Sequence, residues 1–387
     1  MSKNFFAKGA VPAGRQGSPP KVDQPLAGTT NSGGKPMVFP QDELAHNQII
    51  EWWYFNGHLF GRDGREYAFM SCLFKADARK VKIPFLAKVP AKILYFYHSI
   101  ISDISQGKWY PMIEPVSLIS QDSFSRPRLF INHTGFNFLA GYTNCVIEET
   151  GRFAYRLKDK AVDLELISNK NPLLVGGDGF LDLKTKTTYY YSLTNLKTRG
   201  RIKLRGRWLE VSGKSWMDHQ WADAAYSKDK WTWFSLQLDN DTEMVCFVYE
   251  DQGRKNYLAS VLRSDGRQEH FKEIVFTPLG TPWISPKTGA AYPLAWKIKV
   301  PGGKIDLEAR ALIKEQEMIY SSINYWEGPI KISGRVDRKE VTGRGFMELV
   351  GYESKYTNAK YVKDELGKII SKIFSYTRKN VFISPAD

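Results

Sequence analysis

From Glu51 onward, apolar and polar residues alternate in short runs divided by turn-forming residues, the period-two signature of strands that bury one face. The dividers are Arg62-Asp63-Gly64, Gln106-Gly107, Gly176-Gly177-Asp178-Gly179, Asp251-Gln252-Gly253 and Ser264-Asp265-Gly266. Each supplies the glycine or short polar residue that a hairpin connection needs. Along residues 231–238, Trp231, Trp233, Ser235 and Gln237 share one face, and Phe234, Leu236 and Leu238 share the other. The second face is core; the first, aromatic and polar together, suits a wall that lines a ligand. From Glu243 to Asp251 both faces are mostly apolar, Met244, Cys246 and Val248 opposing Val245, Phe247, Tyr249 and Asp251, as in a strand of a filled barrel or sandwich. The pattern therefore predicts an all-β chain whose antiparallel barrels enclose an apolar, aromatic-rich pocket.

The two ends depart from this pattern. Residues 1–40, rich in Gly, Pro, Ser and Lys, have too little apolar surface to offset the entropy of ordering and read as a disordered basic tail. Near the other end Val362, Leu366, Ile369, Ile370 and Ile373 recur at helical spacing, with Lys363, Lys368 and Lys372 on the polar side, and predict an amphipathic helix over 358–377. Packing of that helix against a barrel is favoured over a place on a membrane surface. A chain of 387 residues exceeds what one core usually serves. The expected division is a tail (1–40), an N-terminal barrel domain (41–212), a C-terminal barrel domain (213–353) and the helix with its tail (354–387). No internal repeat is visible.

Composition narrows the function. Aromatic residues make up 14% of the chain, which favours strands and aromatic-walled cavities. The formal charge of +14 draws the protein toward anionic surfaces. No recognition helix, zinc finger or aromatic RNA-binding motif accompanies that charge, so no nucleic-acid partner is expected and peripheral membrane-surface contact is favoured instead. Cys72, Cys145 and Cys246 are odd in number and widely spaced, which fits neither a disulfide framework nor a metal site. Met1 to Lys8 carries no apolar core of a leader, and Ile83 to Ile101 is interrupted by Lys88, Pro90 and Lys92. A cytoplasmic protein without a membrane span is the resulting expectation.

No glycine-rich phosphate loop, nucleophile elbow or paired-histidine zinc motif is present, which argues against nucleotide chemistry and gives no spacing for a metal site among the six histidines. The densest polar and aromatic cluster is Ser215 to Trp221. If extended, it projects His219 and Trp221 to one side and Asp218 and Gln220 to the other. Tyr249 and Asp251 repeat the same two-residue spacing, so one face could gather an imidazole, a carboxyl, a phenol and an indole.

Six strings then resemble the family of carotenoid 1,2-hydratases and AttH-like proteins: EWWYFNGHL (51–59), HSIISD (98–103), VSGKSWMDHQW (211–221), WTWFSLQLD (231–239), YWEGPIKISG (325–334) and GRGFMELVGY (343–352). They occur in the family's order and span most of residues 45–352. The resemblance implies two consecutive lipocalin-like barrels with the Asp218–Trp221 segment near their junction. It also implies acid–base residues at a His two positions before a Trp, here His219 and Trp221, and at a Tyr two positions before an Asp, here Tyr249 and Asp251. On that implication Asp251, kept protonated by burial, donates a proton to an alkene, Trp221 and Tyr249 stabilise the cation, and His219 takes the proton of the incoming water. Trp216, Asp218, Trp231, Trp233 and Gln237 line the substrate, and no metal or organic cofactor is required. Glu51, Glu327 and Glu348 read as buried structural pairs. The expected function is a hydro-lyase acting on an isoprenoid or similar hydrophobic small molecule. The rivals are a lipocalin-like carrier of a lipid or pigment, and a cyclase or pericyclase; in the plainest alternative Asp218 and His219 satisfy backbone groups while the tryptophans fill the barrel floor.

Overall fold

The computed structural model describes residues 34–77, 80, 93–117, 119–121, 127–137, 141–224, 229–320, 323–357, 359–368 and 370. Of the expected disordered tail (1–40), residues 1–33 lie outside them, as does the helical stretch 371–377, whereas the described end of that tail packs on the first core through buried Met37 and Phe39. Among the described residues the chain is built from antiparallel strands, in two large sheets of thirteen and ten strands plus a two-stranded ribbon, so the all-β expectation holds. The turn-forming residues named above fall at strand connections. Gln252 (φ 49°) and Gly253 (φ 76°), for example, both take the left-handed conformation that a two-residue hairpin turn requires.

The first sheet opens with β1 (Ile50–Gly61), β2 (Glu66–Asp77) and β3 (Ile93–Asp103) and ends with β4 (Thr187–Leu204) and β5 (Arg207–Ala222), in the hydrogen-bonded order β3-β2-β1-β5-β4. The second opens with β6 (Lys230–Leu238), β7 (Glu243–Asp251) and β8 (Arg254–Leu262) and ends with β9 (Ile323–Val336) and β10 (Lys339–Val350), in the order β8-β7-β6-β10-β9. In each, the first strand pairs with the last, so the two sheets repeat one connectivity. The repeat extends to single residues. Gly200 in β4 (φ 144°) and Gly334 in β9 (φ 153°) each lie where a Cβ would fall about 2 Å from a neighbouring strand's carbonyl, that of Asp163 and of Asp306 respectively. Glycine is the residue both crossings demand, yet one shared glycine per sheet is too sparse a signal to reveal the repeat in the sequence.

β5 is one unbroken sixteen-residue strand that runs past Gly213 to Ala222. The expected domain boundary between 212 and 213 therefore falls inside a strand of the first sheet, and the passage to the second sheet comes after it, between Ala222 and Lys230. Gly213 permits this continuity, since a Cβ there would meet the carbonyl of His58 at 2.0 Å.

Three apolar clusters follow from the alternation. One fills the first sheet's concavity with residues such as Trp53, Phe55, Tyr97, Tyr155, Tyr191 and Trp221. One fills the second with Phe234, Leu236, Cys246, Trp296, Trp326 and Met347. The third lies between the sheets, where Tyr54, Met70, Tyr190 and Trp216 meet Trp233, Phe247, Tyr249 and Tyr325. Residues 359–368 are helical, as predicted, but Val362, Leu366 and Ile370 are 40%, 52% and 51% exposed. The described part of the helix thus leaves its apolar face uncovered instead of packing it on a barrel, and is tied down by Tyr356, whose hydroxyl donates to Asp364. No helix among the described residues is long and apolar enough to cross a membrane.

Candidate active site

β5 separates two polar clusters, because adjacent residues of a strand face opposite ways. His219 and Trp221 point into the first sheet's concavity, while Trp216 and Asp218 point into the layer between the sheets.

On the concave side the centre is Glu51, fully buried at the start of β1. Its Oε1 accepts from His219 Nε2 at 2.8 Å and from His46 Nδ1 at 2.9 Å, and its Oε2 accepts from Lys75 Nζ at 3.0 Å. Burial raises a carboxyl's pKa, but here the two imidazole bonds and the Lys75 charge outweigh it and hold Glu51 down at about 2. His219, equally buried, is pushed down to about 4 by desolvation against the Glu51 bond and is neutral. Its Nδ1 lies 3.3 Å from the Tyr191 hydroxyl, and its ring stacks on Trp53 at 4.9 Å. His46 stacks face to face on Trp221, 3.7 Å between centroids, and its Nε2 meets Asp42 at 3.1 Å. Every charge in this cluster has an opposite one beside it.

The layer between the sheets is built differently. Two rows of directly paired residues meet there: His98, Cys72, Tyr54, Asp218 and Ser192 across β3-β2-β1-β5-β4, and Glu327, Glu348, Trp233 and Phe247 across β9-β10-β6-β7. Glu327 and Glu348 are cross-strand partners, which puts their Cβ atoms about 5 Å apart. Tyr54 donates to Glu327 Oε1 at 2.8 Å across the layer, and Glu327 Oε2, fully buried, accepts no hydrogen bond among the described residues. Trp231 Nε1 donates to Glu348 at 3.0 Å. Asp218 accepts from Ser192 at 2.6 Å, Trp216 Nε1 at 2.7 Å and Tyr190 at 2.8 Å, and Trp233 Nε1 donates to the same Tyr190 oxygen at 3.0 Å. No ion pair reaches these three carboxyls among the described residues. Burial, then repulsion by Glu348, pushes Glu327 well above the carboxylate range. Burial lifts Glu348 to about 7 against the Trp231 bond, and Asp218 to about 7 against its three donors. The layer reaches solvent at Glu348 and at the partly exposed aromatic rings of Trp52, Phe74 and Trp231.

The residues singled out from sequence are thus divided, not gathered. Trp216, Asp218, Trp231, Trp233 and Tyr249 share the layer, His219 and Trp221 turn away from it, and Gln237 ties the sheets by donating to the carbonyls of Thr194 and Ser215. Tyr249 donates to Asp229, itself paired with Lys186. Asp251 is not the buried acid expected: it stands at the very end of β7, half-buried, opposite Arg254 beside the hairpin turn. The alternation rule placed each side chain on its own strand correctly but could not say which faces of different strands meet. Three acids read as structural pairs separate likewise. Glu51 is such a pair, whereas Glu327 and Glu348 find neutral donors and each other. The available signal was local, an acid set within each of two short apolar stretches, Tyr325 to Ile330 and Phe346 to Val350.

The chain matches the AttH-like family model over residues 30–352. In structure it is similar to an AttH protein from Nitrosomonas europaea, with a TM-score of 0.65 at 25% identity over 83% of this chain and 98% of that one. It shares the fold of kievitone hydratase from Nectria haematococca, TM-score 0.61 at 18% identity over 84% and 96% of the two chains. In sequence it is 25% identical over 183 residues to kievitone hydratase from Fusarium solani and 22% identical over 201 residues to the dehydratase asqC of Emericella nidulans. Those matches take in 45% and 49% of this chain and span only 52% and 57% of the relatives' own lengths. With more than three quarters of its length inside the family model and with the lipocalin-like fold, the chain belongs to the AttH-like family.

Proposed function

We propose that the protein is a hydro-lyase that adds water to, or removes it from, a hydrophobic small molecule held between the two sheets, with Glu327 and Glu348 as the acid–base pair. One observation carries this reading: buried Glu327 and half-buried Glu348 stand directly opposite each other on paired strands, with neutral donors as their hydrogen-bond partners. Two carboxyls so close cannot both ionise cheaply, so their titrations separate. Glu327 stays protonated and Glu348 is poised near neutrality. In hydration the Glu327 proton goes to the alkene carbon, a water oxygen bonds to the resulting cation, and Glu348 takes the proton that water releases. Dehydration runs the same transfers backward. Tyr54 holds the Glu327 carboxyl in place, and the faces of Trp52, Trp231 and Trp233 suit an apolar, cation-forming substrate. Relatives named as a hydratase and a dehydratase support the reaction class. The isoprenoid that the resemblance to carotenoid hydratases implies is one member of the substrate class this layer suits.

The test is mass spectrometry of isoprenoids and other apolar alkenes and alcohols incubated with the full chain. A product differing by one water is expected from wild type, with turnover lowered about 10²- to 10⁴-fold in Glu327→Gln and in Glu348→Gln. Compounds returned unchanged by wild type would favour the carrier. An isomer of equal mass would favour the cyclase.

A further inference from the structure

The second cluster, on the concave side of β5, has a geometry of its own. His46 Nδ1, Glu51 Oε1 and His219 Nε2 converge within 4.8 Å of one another. We propose that these three atoms bind a divalent transition metal of the zinc class, which clamps the segment carrying His46 to the wall of the first sheet. Two imidazoles and a carboxylate form the donor set of open zinc sites, with bonds of about 2.0–2.2 Å. The present 2.8 and 2.9 Å separations from Glu51 Oε1 would then need to widen by only about half an ångström.

What favours a metal over a plain ion-pair knot is the outer ring of partners. The far atom of each ligand is already pinned: His46 Nε2 by Asp42 at 3.1 Å, His219 Nδ1 by the Tyr191 hydroxyl at 3.3 Å, and Glu51 Oε2 by Lys75 at 3.0 Å. Partners of this kind orient metal-bound imidazoles and carboxylates. The ligands also come from separate elements. His46 lies on the segment before β1, whose Met37, Phe39 and Ala45 are buried in the first core, whereas Glu51 and His219 sit on adjacent strands. A metal would join segment and sheet.

The protons balance. The metal replaces the two hydrogens that now lie between Glu51 Oε1 and the imidazoles. His46 keeps its Nε2 proton on Asp42, His219 carries its proton on Nδ1 toward the Tyr191 oxygen, and one proton leaves for solvent. Asp42 and Glu51 together offset Lys75 and one of the two charges of the ion, and a neutral water in the open fourth position leaves the site with one net positive charge.

The full chain, freed of metal by a chelator, should take up one equivalent of Co²⁺ with the visible absorption of a tetrahedral site, and Zn²⁺ should erase that absorption and raise Tm. Wild type should release one proton per ion bound. His46→Gln should lose the Co²⁺ spectrum and the Zn²⁺-dependent rise in Tm. A wild type that shows neither a one-to-one spectrum nor proton release, or a folded His46→Gln that retains both signals, would overturn the assignment.

Discussion

The two faces of β5 hold similar side chains under opposite electrostatic rules. On the concave face Glu51 lies among Lys75, His46 and His219, and its carboxyl is driven down to about 2. On the other face Asp218, Glu327 and Glu348 lie among phenols, indoles and a hydroxyl, and burial drives all three up. Burial is shared, so the difference comes from the partners. A buried carboxyl beside cations is an anion and a structural hub; one beside neutral donors holds its proton well above the ordinary carboxylate range.

The largest expected consequence is in stability. Glu51→Ala leaves Lys75 buried without its carboxylate and should cost about 3–5 kcal/mol in denaturant unfolding. Glu327→Gln replaces a neutral acid by a neutral amide of the same shape and should stay within about 1 kcal/mol. An equal loss in both would mean that Glu327 is ionised and paired, and the contrast between the faces would vanish. Next in size is Tyr54→Phe, which takes from Glu327 Oε1 its one donor among the described residues and should cost about 1–3 kcal/mol. A cost near zero would place water or another donor at that oxygen.

The faces should also respond to pH with opposite signs. Glu348 titrates near 7 in the folded chain and near 4.5 when unfolded. Between those values the folded state binds the extra proton, so stability falls as pH rises, by at most about 1.4 kcal/mol per unit. Glu51 runs the other way: its contribution is present above about 4.5 and is lost as pH falls toward 2. Unfolding curves of wild type and Glu348→Gln should therefore diverge between pH 5 and 7 and run parallel above it. A constant offset across that range would show that Glu348 keeps an ordinary pKa.

Much of this arrangement was legible in the chain. Period-two alternation placed Trp231 and Trp233 on the face opposite Phe234 and Leu236, and Asp218 opposite His219, and the structure repeats both assignments. The family strings implied two consecutive lipocalin-like barrels, and the structure has two large antiparallel sheets in that order. What alternation cannot carry is register between strands distant in sequence: Glu327 meets Glu348 through a tight hairpin, but it meets Tyr54 only because two sheets pack face to face, 273 residues apart along the chain. The same limit hid the Glu51–His219 contact, made across 168 residues. The expected boundary at 212 falls within β5, where Gly213 is the small residue that lets the strand continue past His58.

Asp251 supplies the smallest expected effect and the most direct contest between motif and structure. The motif gives it the proton-donating role, two residues after Tyr249. In the fold those two residues carry the end of β7 out of the layer, and Asp251 stands half-buried beside a hairpin turn, with Arg254 as its cross-strand partner. A carboxyl so placed is solvated and lacks the dry surroundings that keep Glu327 protonated. Asp251→Asn should therefore change stability by no more than about 0.5 kcal/mol and leave the water-adding or water-removing turnover at the wild-type level. Loss of turnover in this variant, with Glu327→Gln still active, would return the acid to the motif position and require β7 to fold its end inward when substrate binds. The reverse result would locate the chemistry by the pairing of strands β9 and β10, which no single motif in this chain encodes.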